Sequence, residues 1–223
     1  MGTATLLIVA AYLWGAVPTA YLVARYVKGI DIRNYGSGNV GASNAAEHVG
    51  GRIGLAIGIF DAIGKGSLIV VTASFLDQDL AVQVGMGLAV IVGHNWSVYL
   101  RLTGGRGIAT SLGVILGLGL VWEFPVWGIL ILFGRIARGD TALLALLGAL
   151  ALPFLAWMRG QPAEIVWMLA AITLLMVTKR TTANWERPKT DGSGLPRVLT
   201  NRILWDRDES AKEEWIVRHP LHR

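Results

Sequence analysis

The sequence contains no cysteine. Disulfide bonds and thiolate-ligated metal sites are therefore excluded, and cysteine usage gives no information about the redox compartment. The N-terminal segment also lacks the basic residues that open a cleavable signal peptide, so we interpret it as a retained membrane span.

Charged residues are scarce and unevenly placed. Of the 223 residues only 16% are charged and 53% are hydrophobic, whereas typical soluble domains are about 25% charged. Residues 1–178 contain 10 Lys/Arg and 8 Asp/Glu, and residues 179–223 contain the other 10 and 7. This distribution is typical of a membrane domain followed by a charged tail. We expect a membrane domain at 1–187 and a cytoplasmic tail at 188–223.

The overall charge is basic, with a formal net charge of +5 and a pI near 9.8. A basic protein could bind nucleic acid, but no solvated basic domain exists outside the tail. Attraction to anionic lipid headgroups explains the positive charge better. We therefore predict membrane lipid as a partner and no nucleic acid.

Long apolar stretches dominate the chain, and a membrane-spanning helix needs about 20 such residues. The apolar stretches are 1–24, 53–76, 80–100, 107–134, 141–158 and 162–178. The stretch 107–134 is too long for one ordinary helix, and Glu123 followed by Phe124 and Pro125 divides it into two short spans. The predicted fold is an all-α integral membrane protein with seven transmembrane helices. Six spans with one long kinked helix is the alternative.

Charge placement favours seven spans with the N-terminus outside and the C-terminus cytoplasmic. In this arrangement the inner loops contain eight of the ten basic residues of 1–178: Arg25, Lys28, Arg33, Arg52, Arg101, Arg106, Arg135 and Arg138. Arg159 is the only basic residue in the outer loops, as expected when positive charge stays inside. A six-span arrangement would place the tail outside. We therefore predict a multi-pass protein of the cell membrane whose polar loops meet at the cytoplasmic face.

Two of these inner loops are rich in glycine and polar residues. The first reads G-S-G-N-V-G-A-S-N at 36–44, and the second reads G-H-N-W-S-V-Y-L-R-L-T-G-G-R-G-I-A-T at 93–110. Glycines let backbone N–H groups converge on an anion, and the N-terminus of a following helix adds positive partial charge. Arg106 would supply a charged planar fork for phosphate. The alternative for G-G-R-G is a tight interhelical turn.

The two loops resemble the first two signature motifs of the acyl-phosphate:glycerol-3-phosphate acyltransferases, the PlsY family. Those motifs read approximately G-S-G-N-I-G-A-T-N and G-H-x-x-P-x-F-x-x-F-x-G-G-K-G-V-A-T. The resemblance covers residues 1–187. It implies a membrane enzyme of phospholipid biosynthesis that binds acyl phosphate and glycerol 3-phosphate. Such an enzyme transfers the acyl group to the 1-hydroxyl, giving lysophosphatidate and inorganic phosphate.

The resemblance implies no metal and no cofactor, because an acyl phosphate is already an activated mixed anhydride. The enzyme must hold two anions together, orient the hydroxyl and stabilise developing charge. By resemblance, Ser37, Arg106 and Asn184 are expected to be catalytic. The expected substrate-binding residues are Gly38, Asn39, Ser43, Asn44, His94, Gly104, Gly105, Gly107, Thr110 and Arg187.

The chain departs from the family pattern at several positions. Ser43 replaces Thr and keeps the hydroxyl, while Arg106 replaces Lys and keeps the charge with a different donor geometry. The third family motif, approximately H-R-x-N-I-x-R-L, corresponds to T-T-A-N-W-E-R-P at 181–188. Asn184 and Arg187 match it, but two threonines replace its His-Arg pair.

Glu47 stands where the first motif continues with an arginine. A carboxylate there would repel bound anions unless a neighbour such as Arg33 or Arg52 compensates. The alternative function is therefore an inactive family relative that binds phosphate-bearing lipid or serves as a membrane scaffold. Two further classes have little support. The H-x-x-x-x-D pattern of other acyltransferases is absent, and no internal repeat indicates a transporter.

Several further residues stand out along the spans. Asp61 and Lys65 are four apart and are predicted to form an ion pair that fixes helix packing. His94 could be a general base or a substrate ligand, but an interhelical hydrogen-bonding or capping role is favoured. Four tryptophans are interpreted as anchors at the membrane interface: Trp122, Trp127, Trp157 and Trp167.

The tail contains one periodic segment. Leu195, Val198, Leu199 and Ile203 recur at helical spacing among arginines. This pattern predicts a short amphipathic helix lying on the inner leaflet.

Overall fold

A computed structural model of the chain describes residues 2–138, 140–185 and 194–208. All regular secondary structure among these residues is helical, with no β-strand, which confirms the all-α class. The α-helices are α1 (Gly2–Ala16), α2 (Thr19–Lys28), α3 (Ala42–His48), α4 (Gly51–Ile59), α5 (Leu68–Phe75), α6 (Leu80–Asn95), α7 (Ile108–Gly117), α8 (Glu123–Arg138), α9 (Ala142–Met158), α10 (Ala163–Thr182) and α11 (Leu195–Trp205). Arg187 lies outside the described residues.

Three helical segments are long and apolar enough to cross a membrane: Gly2–Lys28, Gly51–Phe75 and Ala163–Trp185. The shorter apolar helices α6, α7 and α9 coincide with other predicted spans. The stretch that sequence alone left open forms two helices, because α7 ends at Gly117 and α8 starts at Glu123. The helix break therefore lies where the sequence predicted it.

The helices pack closely where glycines let two backbones meet. In α6, Gly93 lies directly against the backbone of Tyr12, and in α1, Gly15 lies against the backbone of Val90. A Cβ atom at either glycine would clash with main-chain atoms that cannot move aside. These contacts hold α1 against α6. The beginning of the second polar loop, at the end of α6, is thereby fixed relative to the first span.

The second long segment contains a π-helical stretch, Phe60–Ser67, between α4 and α5. Here Lys65 Nζ lies 2.7 Å from Asp61 Oδ1, and both side chains are almost fully buried. Lys65 also donates to the carbonyl of Val17 at 2.7 Å, and Thr19 donates to Asp61 at 3.2 Å. The predicted ion pair is confirmed. It connects the second span to the break between α1 and α2, where Pro18 interrupts the helix.

One interface-anchor prediction is wrong. Trp127 is 0% exposed and donates through Nε1 to the carbonyl of Ala145 in α9 at 2.8 Å. Gly148 leaves room for its ring, since a Cβ atom there would collide with the indole. Trp127 therefore packs in the α8–α9 core. The other three tryptophans are more than half exposed, as interface anchors would be.

The periodic segment of the tail forms α11, which packs against α9 and α10 through buried Val198 and Arg202. Arg202 donates to the carbonyl of Thr181 at 2.9 Å. In return, Arg180 donates to the carbonyl of Ile203 at 2.7 Å. The helix was predicted, but its arginine-bearing side docks on the ends of the bundle helices. The sequence interpretation placed it on lipid alone, because spacing does not reveal such a docking partner.

Candidate active site

The two glycine-rich loops and the end of α10 meet at one end of the bundle. The N–H of Val40 in the first loop donates to the carbonyl of Gly104 in the second at 3.2 Å. Asn184 joins both loops, because its Nδ2 donates to the carbonyl of Gly38 at 3.1 Å and its Oδ1 accepts from the N–H of Gly104 at 3.0 Å. The structure therefore brings three separated sequence motifs together.

Asn184 reaches these loops because the chain turns sharply after α10. Ala183, Asn184 and Trp185 all have positive φ, with values of 40°, 56° and 69°. Left-handed conformations are uncommon outside glycine, and three in a row reverse the direction of the chain. The turn is held by the two contacts of Asn184 and by Trp185, whose Nε1 donates to the carbonyl of Leu102 at 3.1 Å.

Asn44 organises the first loop. Its Nδ2 donates to the carbonyls of Ile32, Tyr35 and Asn39 at 3.0–3.2 Å. Gly36 adopts a positive φ of 53° beneath it and leaves space for the amide. The donors of Asn44 are thus consumed by the loop itself. Sequence reasoning assigned this residue to substrate, whereas its contacts here hold the loop in shape.

The other predicted residues of the first loop lie at different depths. Ser37 Oγ is half-buried and accepts from the N–H of Asn39 at 3.2 Å. Gly38 has a positive φ of 65°, and its carbonyl receives Asn184. Asn39 is buried, and its Oδ1 has no hydrogen-bond partner in the part of the chain that the structure describes. Ser43, in the first turn of α3, is exposed on the protein surface.

The second loop folds tightly over the end of α6. The N–H of Gly105 donates to the carbonyl of His94 at 3.0 Å, and the Cα of Gly105 faces the imidazole so closely that a side chain would clash. Gly107 has a positive φ of 74° and precedes the first residue of α7. Thr110 in the first turn of α7 is fully buried, and its hydroxyl has no hydrogen-bond partner within the described ranges.

His94 lies between the second loop and the buried ion pair of the second span. Its Nδ1 is 3.9 Å from Asp61 Oδ1, and its ring packs closely against Gly105. The 3.9 Å separation is too long for a hydrogen bond, so the hydrogen-bonding or capping role favoured by the sequence stays a prediction. Within the described residues, no group of three His, Asp or Glu side chains is arranged to hold a metal ion.

Arg106 is the only charged residue of the second loop's glycine-rich end, and it points inward with 7% of its surface exposed. Its Nη1 donates to the carbonyl of Lys179 at 3.1 Å. Its Nε lies 2.6 Å from Oδ1 of Asp206, an ion pair whose angles are poor for a hydrogen bond. Asp206 follows α11 in a left-handed conformation with φ 57°. A carboxylate from the tail thus lies directly beside Arg106.

Two cations of α10 complete this region, and sequence reasoning missed them. Lys179 and Arg180 are both 0% exposed. Arg180 spans two carbonyls, donating to Ala142 at 2.8 Å and to Ile203. Lys179 Nζ lies 5.1 Å above the centre of the Trp96 ring. At the end of a span, a Lys-Arg pair resembles ordinary flanking charge, so spacing alone could not single these residues out.

Glu47 pairs with an arginine of α8. Its Oε1 lies 3.5 Å from Nη1 of Arg135, whose side chain is 54% exposed. Arg33, one of the two neighbours considered for compensation, pairs instead with Asp31 at 2.7 Å. That partner, through its hydrogen bonds, raises the pKa of Arg33, and Arg33 in turn lowers the pKa of the Asp31 carboxyl. Arg135, 88 residues away, neutralises Glu47 instead.

Sequence comparison decides the family. The sequence profile described as "Glycerol-3-phosphate acyltransferase" matches residues 5–189 of this chain. The chain belongs to the glycerol-3-phosphate acyltransferase family. Glycerol-3-phosphate acyltransferase 5 of Dehalococcoides mccartyi is 41% identical over 217 residues, covering 95% of this chain and 91% of that protein. Glycerol-3-phosphate acyltransferase of Prochlorococcus marinus is 34% identical, covering 83% of this chain and 96% of that protein.

The fold is also that of this family. The crystal structure of PlsY (YgiH), an integral membrane glycerol 3-phosphate acyltransferase, in its glycerol 3-phosphate form matches with a TM-score of 0.71 at 29% identity. The match covers 80% of this chain and 88% of PlsY. Its lysophosphatidic acid form matches with a TM-score of 0.70 at 26% identity, covering 92% and 98%. The resemblance found in the motifs is therefore confirmed, and this chain is an acyltransferase-family membrane protein.

Proposed function

We propose that this chain transfers an acyl group from acyl phosphate to the 1-hydroxyl of glycerol 3-phosphate, giving lysophosphatidate and inorganic phosphate. One observation carries the proposal. A buried arginine stands in a glycine-rich loop, beside two further motif segments, and already contacts a carboxylate. A site that attracts an anion from its own chain is suited to anionic substrates.

Phosphate binding follows from the second loop. Arg106 offers a guanidinium fork that can hold two phosphate oxygens at once. Helix α7 begins immediately after the loop at Ile108, and the first four N–H groups of a helix have no partner within it. They and the helix dipole favour an anion at this end. Gly105 and Gly107 let the loop pack directly against His94 and Asn95, where a Cβ atom would clash, and so hold Arg106 in place.

The chemical step is an acyl substitution at an already activated carbonyl. The 1-hydroxyl oxygen of glycerol 3-phosphate bonds to the acyl carbon, and the acyl carbon–oxygen bond to phosphate breaks. The electron pair leaves with phosphate, which also takes the hydroxyl proton, so no protein base is required. Arg106 stabilises the charge that develops on the departing phosphate. Ser37 offers a hydroxyl to the reacting groups, and Asn184 holds the loops in the reactive arrangement.

We further propose seven spans, with the N-terminus outside and the site at the cytoplasmic face of the cell membrane. Support comes from the apolar helices and from the basic residues that collect in alternate loops. The outer surface of the bundle also exposes large apolar side chains, among them Phe75, Phe154 and Leu174. Exposed groups of that size suit contact with lipid rather than water.

The test is an assay of the purified protein with glycerol 3-phosphate and either acyl phosphate or acyl-CoA. We expect release of inorganic phosphate matched by lysophosphatidate formation with acyl phosphate, and no product with acyl-CoA. Product formation from acyl-CoA alone would overturn the proposed donor. Binding of glycerol 3-phosphate without turnover from either donor would favour the inactive relative, and turnover gained in Glu47→Arg would then locate the defect.

A further inference from the structure

The proposed reaction brings two phosphate-bearing anions into one site, but the glycine-rich end of the second loop, residues 104–107, provides a single positive charge, Arg106. Part of that charge is offset by Asp206. Two anions held close together repel each other, so a second cation would lower the cost of binding both. The position where the family's first motif has an arginine does not supply it, because Glu47 stands there and pairs with Arg135.

Lys179 is placed to be that cation. The carbonyl of Lys179 accepts the hydrogen bond from Arg106, which fixes α10 beside the second loop. Its side chain extends over the ring of Trp96, the residue that directly follows α6. The backbone of Gly104 is bonded to Asn184, five residues further along from Lys179. The ammonium therefore lies within the region enclosed by the second loop and α10.

The ammonium of Lys179 has no hydrogen-bond partner among the described residues, although the side chain is fully buried. An ammonium has three N–H donors, and leaving them unsatisfied in the interior is costly. Its neighbour Arg180 differs, because two carbonyls accept from that guanidinium. Contact with the Trp96 ring offsets only part of the cost for Lys179. Unused donors of this kind are suited to an anionic ligand.

Asp206 indicates where that ligand would lie. Its carboxylate touches Arg106 and also acts electrostatically on both Lys179 and Arg180. One carboxylate supplied by the tail thus contacts Arg106 directly and lies close enough to Lys179 and Arg180 to act on their charges. A phosphate group carries more negative charge than a carboxylate and has three oxygens to share among such donors.

We propose that Lys179 is a second phosphate-binding residue, which contacts the phosphate group of a substrate in the position that Asp206 occupies here. The identity of that substrate rests on the proposed function. Phosphate binding itself does not, because it is measured with inorganic phosphate in the absence of turnover. Whether the contact serves glycerol 3-phosphate or acyl phosphate is an outcome that the experiment distinguishes.

The experiment compares Lys179→Gln, Lys179→Arg and the control Arg159→Gln with the wild type in detergent. The control Arg159→Gln also removes one positive charge, but from a side chain that lies over the Trp122 ring at another end of the bundle. Isothermal titration with inorganic phosphate and with glycerol 3-phosphate gives binding without requiring turnover. For Lys179→Gln we expect affinity to fall by about tenfold or more, the effect of one lost charge-assisted hydrogen bond. Lys179→Arg and Arg159→Gln should stay close to wild type.

Thermal unfolding separates binding from a structural role. If Lys179 binds phosphate, removing its unpaired buried charge should leave the unfolding temperature unchanged or raise it. A lower unfolding temperature together with unchanged phosphate affinity would show that Lys179 serves packing against Trp96, and would overturn the inference. Wild-type protein that binds neither probe would overturn it as well.

Turnover assays assign the substrate. A KM raised for glycerol 3-phosphate alone places Lys179 at the acceptor phosphate, and a KM raised for acyl phosphate alone places it at the donor. Protein that binds phosphate through Lys179 but shows no turnover would refute the proposed function while supporting this inference. The two failures are therefore distinguishable.

Discussion

Two buried ionic groups in this protein differ in how completely they are satisfied. In the second span, Asp61 and Lys65 pair with each other and take further hydrogen bonds from Thr19 and to Val17. At the end of the bundle, Arg106 meets Asp206 across 100 residues of sequence, and several nearby polar atoms have no hydrogen-bond partner among the described residues.

The difference separates structure from binding. A buried pair that is already bonded to its surroundings on both sides is suited to holding structure, and breaking it is costly. A cluster of buried donors without partners lowers the stability of the fold, and such a cost is typical of functional sites. We therefore expect changes at the first group to alter stability and changes at the second to alter activity.

The largest effect is expected for Arg106→Ala. Loss of the guanidinium removes charge stabilisation of the departing phosphate, so turnover should fall by about a hundredfold to a thousandfold, as when one transition-state donor is removed. The unfolding temperature should change little. Phosphate release from acyl phosphate and glycerol 3-phosphate measures the first, and thermal unfolding in detergent measures the second. Near-normal turnover would show that the loop is only a turn between helices.

The next largest effect is a loss of stability when the Asp61–Lys65 pair is broken. Lys65→Met alone leaves Asp61 buried without its cation and should lower the free energy of unfolding by about 3–5 kcal/mol. The double variant Asp61→Leu with Lys65→Met removes both charges and should recover most of that loss. Thermal or denaturant unfolding of the three proteins checks this. A double variant as unstable as the single one would mean that the pair is not self-contained.

A smaller effect is expected for Asp206→Asn. Removing the carboxylate that competes for Arg106 should lower the KM for the phosphate substrates by about threefold to tenfold, the size of one partly exposed ion pair. Asp206→Glu keeps the charge and serves as the control. Steady-state kinetics measure both variants. A KM raised by Asp206→Asn would show that the tail supports the site instead of competing with substrate.

The smallest effect concerns a surface pair, Asp31 with Arg33. The hydrogen bond from Arg33 holds the pKa of the Asp31 carboxyl below its ordinary value of 3.8. The pair therefore stabilises the first loop above that value, and the contribution is lost as pH falls through the lowered pKa. Unfolding temperature measured on acidification should drop more in wild type than in Asp31→Asn. Parallel curves would show that the pair contributes nothing.

The sequence predicted the features that depend on local spacing. Four-residue separation predicted the Asp61–Lys65 pair, and Glu123 with the following proline located the break after α7. The glycine-rich motifs identified the family, because glycine at fixed spacing is required by the backbone conformation of these loops. Charge placement and hydropathy together located the apolar helices that the structure contains.

Features that depend on the approach of distant segments could not be predicted. Nothing in the sequence around Asp206 indicates that a tail carboxylate reaches Arg106. Glu47 finds its partner in Arg135 on α8, although nearer arginines were available in sequence. Trp127 faces the core because of Gly148 on the neighbouring helix. Each of these needs the relative rotation of two helices, which hydropathy does not give.

The bond from Lys65 to Val17 has a mechanical consequence. One ammonium ties the kink of the first span to the carboxylate of the second, so neither helix can slide along the other without exposing polar groups to lipid. The vertical alignment of both spans is thereby locked. The same carboxylate lies 3.9 Å from Nδ1 of His94, so the contact that aligns the two spans also reaches the end of α6, where the second glycine-rich loop begins.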